Sequence, residues 1–328
     1  MWHKDILGAI GHTPMVQLNR LAAHLTCTVL VKLEAFNPAG SIKDRIAVEM
    51  VEEAERSGQL KPSGTIVEAT SGNTGTGVAM VAVAKGYRCI CATTDKVSKE
   101  KLDTLRAYGA EVVICPKKIH HEDPRSYYNV ARQLAADTPN AVYLNQYFNQ
   151  ANARAHYRST GPEIWTQTGG GVTHLFAGAS TGGTISGVAR FLKERKPDVK
   201  IVGVDPYGSA YYKYFFTHEV DENEVYSYNV EGAGKGFLAG NLDVDVIDDY
   251  TRVRDRETMA MVRRLVQEEG IFAGQSSGLV TAGALKWLEE HTDAITTDTL
   301  AVLILPDSGV RYLSKTFNED WMRKHNLF

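Results

Sequence analysis

Short apolar runs alternating with longer amphipathic stretches constrain this chain more than any other feature. TVLVKLEAF, TIVEAT, YRCICATT, EVVICP, VTHLFAGA, VKIVGVDP and LAVLILP all look like buried strands. Between them lie helical patterns. In SIKDRIAVEMVEEAERSG, Ile42, Ile46, Met50 and Ala54 recur at i+4, with Glu49, Glu52, Glu53 and Arg56 placed elsewhere, as an amphipathic helix requires. TGTGVAMVAVAKG, SKEKLDTLRAYGA, GGTISGVARFLKERKP and TRVRDRETMAMVRRLVQEEG continue the series. Such alternation predicts an α/β architecture with mostly parallel sheets flanked by helices. At 328 residues the chain is long enough for about two domains. No clear linker separates them, so interleaved and sequential arrangements are both open.

Charge narrows the partners. The 36 basic and 39 acidic residues leave a net charge of -3, which gives no case for nucleic acid or an anionic membrane. The N-terminal stretch has no basic segment followed by an apolar core, so it does not read as a signal peptide. No apolar run approaches the ~18–20 residues that span a bilayer. Cys27, Cys89, Cys91 and Cys115 form no C-x-x-C and no zinc-like pairing with histidine. They read as buried free thiols, and the chain as cytoplasmic.

Three glycine-rich segments stand where a strand gives way to a helix. GASTGGTISG (178–187) offers Gly182 and Gly183 for a tight turn and the hydroxyls of Ser180, Thr181 and Thr184. Converging N–H groups at a helix start make an anion nest suited to a phosphate ester, although small residues also serve close helix–strand packing. The segment lacks the lysine of a nucleoside-triphosphate loop and lacks G-x-G-x-x-G. Asp205, at the end of the next strand, nevertheless stands where a dinucleotide fold carries its ribose-binding acid. ATSGNTGTG (69–77) crowds Thr70, Ser71, Asn73 and Thr74 at another helix start. Dipole and neutral donors there suit a carboxylate; a plain capping turn, the alternative, would need only one of these residues. In FAGQSSGL (272–279), Ser276 and Ser277 taken alone are ordinary caps.

Lys43 poses a separate question. In NPAGSIKDRIA, Ser41 is expected to cap a helix with Asp44 reaching back as the capping-box partner. Lys43 then occupies the first turn, where the macrodipole disfavours a cation by about 0.3–1 kcal/mol. Either it is an exposed lysine that tolerates this cost, or it is kept partly neutral to act as a nucleophile or form an imine. HHED (120–123) reads as a solvated loop rather than a metal site, and EVDENEV (219–225) as surface charge. The irregular stretch from Asp205 to Tyr250 is long enough to suggest a functional segment.

Taken together, NPAGSIKDR, TSGNTG and STGGT resemble the pyridoxal-phosphate enzymes of the β-substitution class, cysteine synthases and cystathionine β-synthases. EDPRSYYNVARQLA, NQYFNQANARAHYRSTGPEIW, VGVDPYGS and LPDSGVRYLSKTFNEDWM are more similar to the cystathionine β-synthases, and Tyr147 follows Gln146 where cysteine synthases tend to carry Phe. The resemblance implies fold type II: a smaller substrate-binding domain (41–146), a larger cofactor-binding domain (1–40 with 147–328), and pyridoxal 5'-phosphate at their interface. It also implies a homodimer acting on amino acids.

By the same resemblance, Lys43 carries the cofactor and serves as the base at the α-carbon. Asn73 bonds the cofactor's phenolate oxygen. Ser180, Thr181, Gly182, Gly183 and Thr184 cradle its phosphate, with Ser180 in place of the usual Gly. Ser276 faces the pyridine nitrogen. Thr70, Ser71, Asn73, Thr74, Gln146 and Tyr147 hold the substrate. No metal is implied. A neutral hydroxyl at the ring nitrogen makes a poorer electron sink than an aspartate partner would, which suits β-elimination and thiol addition better than transamination.

The reaction expected on this resemblance joins L-serine and L-homocysteine to give L-cystathionine; cysteine in place of serine releases hydrogen sulfide. Rivals are a cysteine synthase using O-acetylserine and sulfide, an enzyme adding an amine nucleophile, and, from another class, a nicotinamide-binding dehydrogenase. Gly236 and Ala239 depart from common cystathionine β-synthase residues and leave the nucleophile open. Neither haem nor adenosyl regulation is expected.

Overall fold

β1 (Met15–Gln17) and β2 (Thr28–Leu33) form an antiparallel pair, Met15 opposite Lys32 and Gln17 opposite Leu30. The chain then leaves this sheet to build another. In the computed structural model, which describes residues 2–70, 72–95, 97–116, 119–120 and 122–328, the second sheet comes from one continuous stretch. It runs α1 (Lys43–Arg56), β3 (Thr65–Ala69), α2 (Asn73–Lys85), β4 (Arg88–Thr94), α3 (Lys99–Ala107), β5 (Glu111–Cys115), α4 (Tyr127–Asp137) and β6 (Ala141–Tyr143). Its strand order is β5-β4-β3-β6 and every pairing is parallel, with Glu68 aligned to Cys91 and Val67 to Tyr143.

The chain returns to the first sheet through α5 (Ala151–Arg158) and α6 (Thr160–Gln167). It continues with β7 (His174–Gly178), α7 (Gly183–Arg195), β8 (Lys200–Pro206), α8 (Tyr211–Thr217), β9 (Asp249–Val253), α9 (Asp255–Glu269), α10 (Gln275–Glu290), β10 (Leu300–Leu305) and α11 (Glu319–Lys324). The order is β1-β2-β10-β7-β8-β9, parallel except for the opening pair. Two compact units result, Met1–Gly11 with Asn37–Asn152 and His12–Phe36 with Ala153–Phe328. This division differs from the expected one at both seams. Residues 37–40 and the N-terminal segment group with the smaller unit, where Gly11 N donates to Asn37 Oδ1 at 2.9 Å.

The burial pattern explains the elements. Ile42, Ile46, Met50 and Ala54 all lie inside, as their spacing on α1 predicts. Helix α2 is buried from Thr74 to Ala82, which its small residues permit. In the larger unit Phe176, Val202 and Leu303 share one core with Leu279, Val280 and Leu288 of α10. Lys32, a charged residue within β2, is fully buried yet satisfied: its Nζ donates to Thr13 O and Glu163 Oε2, both at 2.7 Å, and to Gln167 Oε1 at 2.9 Å. One expected helix begins later than its pattern suggests. Residues 251–253 belong to β9, where Thr251 pairs with Val204 and Val253 with Pro206, because β-branched side chains fit a sheet better than a helix start.

All four cysteines are free; Cys27 is half-buried and the others are buried. On β4 the Cys89 and Cys91 sulfurs lie 3.7 Å apart. Contact with Cys89, then burial, pushes the Cys91 thiol well up, and burial raises Cys27 and Cys115. Among the described residues no helix is long and apolar enough to cross a membrane, and no cluster of side chains could hold a metal ion. His121 of the HHED stretch lies outside those residues.

Candidate active site

In the smaller unit, Lys43 is the first residue of α1 and is half-buried. The expected capping box does not form. Ser41 Oγ accepts from Lys43 N at 3.2 Å, but the Asp44 carboxylate turns away and accepts from Ala39 N at 2.7 Å. Asp44 thus pins the turn ahead of the lysine. Gly77 of α2 lets this helix start come close. A Cβ on Gly77 would stand 3.2 Å from both Lys43 O and Asp44 Oδ1. The Lys43 backbone thus packs closely against the first turns of α2.

That N-terminus carries the predicted carboxylate loop. Gly72 adopts φ +135, and a Cβ there would meet Lys101 Cδ at 2.5 Å, so only glycine fits. Thr70 Oγ1 accepts from Gly72 N at 3.1 Å and from Gly75 N at 3.0 Å. With its lone pairs engaged by the backbone, the Thr70 hydroxyl keeps its proton for an outside acceptor. Thr74 behaves differently: its hydroxyl donates to Gln146 Oε1 at 2.6 Å, while Gln146 Nε2 donates to Ala69 O at 2.9 Å. Thr74 orients Gln146 through that bond. Asn73 opens α2 and is half-buried. Ser71 lies outside the described residues.

Two groups stand behind Gln146. Asn152 Nδ2 donates to Gln146 O at 2.8 Å. Glu68, fully buried on β3, accepts from Gln146 N at 3.5 Å, and burial pushes its carboxyl up to about 8. Tyr147 is buried in a tyrosine cluster, edge-on to Tyr128 with ring centroids 5.4 Å apart. Burial drives its phenol well above the usual range.

In the larger unit, β7 ends at Gly178 and α7 begins at Gly183, with the predicted phosphate loop between them. Gly182 has φ +80, and a Cβ there would meet Leu242 Cα at 2.4 Å. Thr181 Oγ1 accepts from Gly183 N at 3.4 Å. Ser180 and Thr184 are half-buried. The partner of Thr184 was not foreseen: His156 shares a hydrogen bond with Thr184 Oγ1 through Nε2 at 3.1 Å and a second with Thr160 Oγ1 through Nδ1 at 2.9 Å. The i,i+4 spacing of His156 and Thr160 was the available signal.

Ser276 sits one residue inside the N-terminus of α10, buried and neutral. A Cβ on Gly232 would lie 3.5 Å from its Oγ, so the 231–242 segment runs from beside Ser276 to Leu242 at the phosphate loop. Gln275 anchors the start of this segment by accepting from Glu231 N at 2.8 Å, and Glu231 pairs with Lys315. Asp205 is not available to a ribose. It is fully buried, its Oδ2 accepts from Tyr212 N at 3.1 Å, and burial raises it to about 7.

These features fit pyridoxal phosphate. A glycine turn that a Cβ would fill leads into a helix N-terminus, which suits a phosphate group. A neutral buried hydroxyl heads α10, and a half-buried lysine begins α1. The family model described as "Pyridoxal-phosphate dependent enzyme" matches residues 6–307. Cystathionine beta-synthase of Rattus norvegicus is 46% identical over 320 residues, covering 97% of this chain but 56% of that protein; the chain thus spans little more than half of that relative. Cysteine synthase 1 of Neurospora crassa is 41% identical over 327 residues, 99% of this chain and 86% of the relative. The crystal structure of O-ureido-L-serine synthase superposes with a TM-score of 0.86 at 36% identity, covering 98% of this chain and 100% of that one. The chain therefore belongs to the pyridoxal-phosphate-dependent enzymes of fold type II, in the β-substitution family that holds cystathionine β-synthases and cysteine synthases, and its cofactor is pyridoxal phosphate.

Proposed function

We propose that the chain is a lyase that replaces the β-substituent of an amino acid, joining L-serine to L-homocysteine to give L-cystathionine and water. L-cysteine in place of serine releases hydrogen sulfide. The observation that carries the β-replacement chemistry is Ser276, a buried neutral hydroxyl at the head of α10, and the similarity to cystathionine beta-synthase supports the choice of substrates. Beside the pyridine nitrogen such a hydroxyl would make the ring a poorer electron sink than an acid would and so would favour loss of the β-group. In this reading the working form is a homodimer.

Pyridoxal phosphate, when bound, supplies the electron sink that acidifies the substrate's α-proton. The chain's own residues do the rest. Lys43 carries the cofactor and moves that proton. The Thr70 hydroxyl, Ser71, the Asn73 amide and the N–H groups at the start of α2 hold the α-carboxylate, with Gln146 oriented by Thr74. Asn73 would also hold the phenolate oxygen, and Tyr147 would back the substrate pocket. Ser180, Thr181, Gly182, Gly183 and Thr184 hold the phosphate, Thr184 being steadied by His156.

A second reading, a cysteine synthase using O-acetylserine and sulfide, draws support from the 231–242 segment. Gly236 and Ala239 leave it without a bulky or acidic side chain at those positions, which suits a small nucleophile. Visible absorbance separates the two. On the main reading, serine shifts the cofactor band and homocysteine restores it as cystathionine appears. A band that ignores serine and responds to O-acetylserine would favour the second reading. A chain that stays colourless with added pyridoxal phosphate would refute both.

A further inference from the structure

The phosphate loop is held from outside as well as shaped from within. Ser180, its first residue, offers its carbonyl to Tyr211, whose hydroxyl donates at 2.6 Å. The carbonyl before it, Ala179 O, accepts from Gly234 N at 2.6 Å. Two consecutive carbonyls of the loop therefore have fixed partners. In a trans peptide the C=O and the following N–H point in opposite directions. A bond that draws Ser180 O toward Tyr211 consequently aims Thr181 N–H the other way, and the bond to Ala179 O does the same for Ser180 N–H.

Tyr211 is itself well anchored. It is fully buried at the start of α8. Ala210 N donates to Lys235 O at 2.8 Å, and Lys235 N donates to Ser209 Oγ at 3.1 Å. The hydroxyl thus reaches Ser180 from a backbone that is bonded on both sides.

We infer that Tyr211 is a positioning residue for the cofactor's phosphate: by holding the Ser180 carbonyl outward it presents the Thr181 N–H to the anion. The inference rests on the cofactor assignment and extends it to a residue that lies outside the phosphate loop and acts through the Ser180 carbonyl. It also ties the Asp205–Tyr250 segment, which carries Tyr211, to cofactor affinity.

The test compares Tyr211→Phe with Tyr214→Phe, which alters the same helix at a ring that packs on His218. Each cofactor-free protein is titrated with pyridoxal phosphate, and the ³¹P resonance of the bound phosphate is recorded. Tyr211→Phe should raise the dissociation constant about tenfold, the scale of one lost hydrogen bond, and should move the ³¹P resonance. Tyr214→Phe should do neither, and the cofactor-free melting temperature of Tyr211→Phe should stay near that of the wild type. Wild-type affinity with an unmoved resonance would overturn the inference. So would a cofactor-free Tyr211→Phe protein destabilised as much as the loaded one with its resonance unmoved. Inorganic phosphate provides an independent arm through thermal protection of the cofactor-free chain. Wild type that takes phosphate but not pyridoxal phosphate sinks the cofactor assignment alone, and loss of phosphate protection in Tyr211→Phe still decides the role of Tyr211.

Discussion

Thr74 and Gln146 share a hydrogen bond of 2.6 Å, the hydroxyl donating to the amide oxygen, with both residues buried. The bond fixes which way the amide faces. Thr74→Val keeps the shape but removes the donor that fixes the amide, at a cost of about 1–3 kcal/mol. The expected result is a KM for the amino-acid substrate raised roughly tenfold, with the cofactor's absorbance unchanged and Thr74→Ser near wild type. Steady-state kinetics with matched spectra check this; a change confined to cofactor content would refute it.

Gly182 faces two demands at once, a φ of +80 and the backbone of Leu242 at 2.4 Å from any added Cβ. Gly182→Ala should therefore distort the phosphate loop at a cost of about 1–3 kcal/mol. Cofactor affinity should fall by roughly ten- to a hundredfold, while the circular dichroism of the cofactor-free chain stays that of the wild type. Equilibrium dialysis against pyridoxal phosphate measures the loss.

Lys43 heads a helix whose buried stripe lies elsewhere, at Ile46, Met50 and Ala54. Lys43→Ala should abolish turnover and leave the unfolding free energy from urea titration within about 0.5 kcal/mol of wild type, as for substitutions outside the core. Turnover near the wild-type rate in that variant would remove the lysine from the mechanism.

Glu68 gives a pH dependence with a definite sign. Below about pH 4.5 its carboxyl is protonated in folded and unfolded chains alike, whereas the folded chain holds the proton up to about 8. Stability from this group is therefore complete at low pH and is lost as the pH rises through that window. Glu68→Gln has no proton to lose. Against it, the wild type should weaken by on the order of a few kcal/mol between those limits and level off above them. Urea midpoints for both proteins across the range test it, and a constant difference would mean that Glu68 ionises normally.

Much of the fold was legible because parallel strands buried on both faces write long apolar runs. β1, β6 and β9 escaped the reading. They are three, three and five residues long and lie at sheet edges, where a short half-buried strand carries little pattern. The glycine loops were legible for a different reason: Gly72 and Gly182 occupy backbone conformations that other residues rarely adopt. Partners brought in by the tertiary fold were not. His156 reaches Thr184 across 28 residues and Tyr211 reaches Ser180 across 31, separations that no local spacing rule covers. Asp44 was misassigned as a capping partner because the rule weighs only the return to Ser41, whereas Ala39 N lies within its reach.

The burial of the cysteines has a consequence for the chemistry proposed. A catalyst that handles thiols and sulfide works amid disulfide exchange and persulfide formation, and both start from thiolates. Burial pushes the Cys27 and Cys115 thiols up, and contact with Cys89 together with burial does so for Cys91. These three thiols are therefore poor nucleophiles and compete little with the sulfur of the substrates.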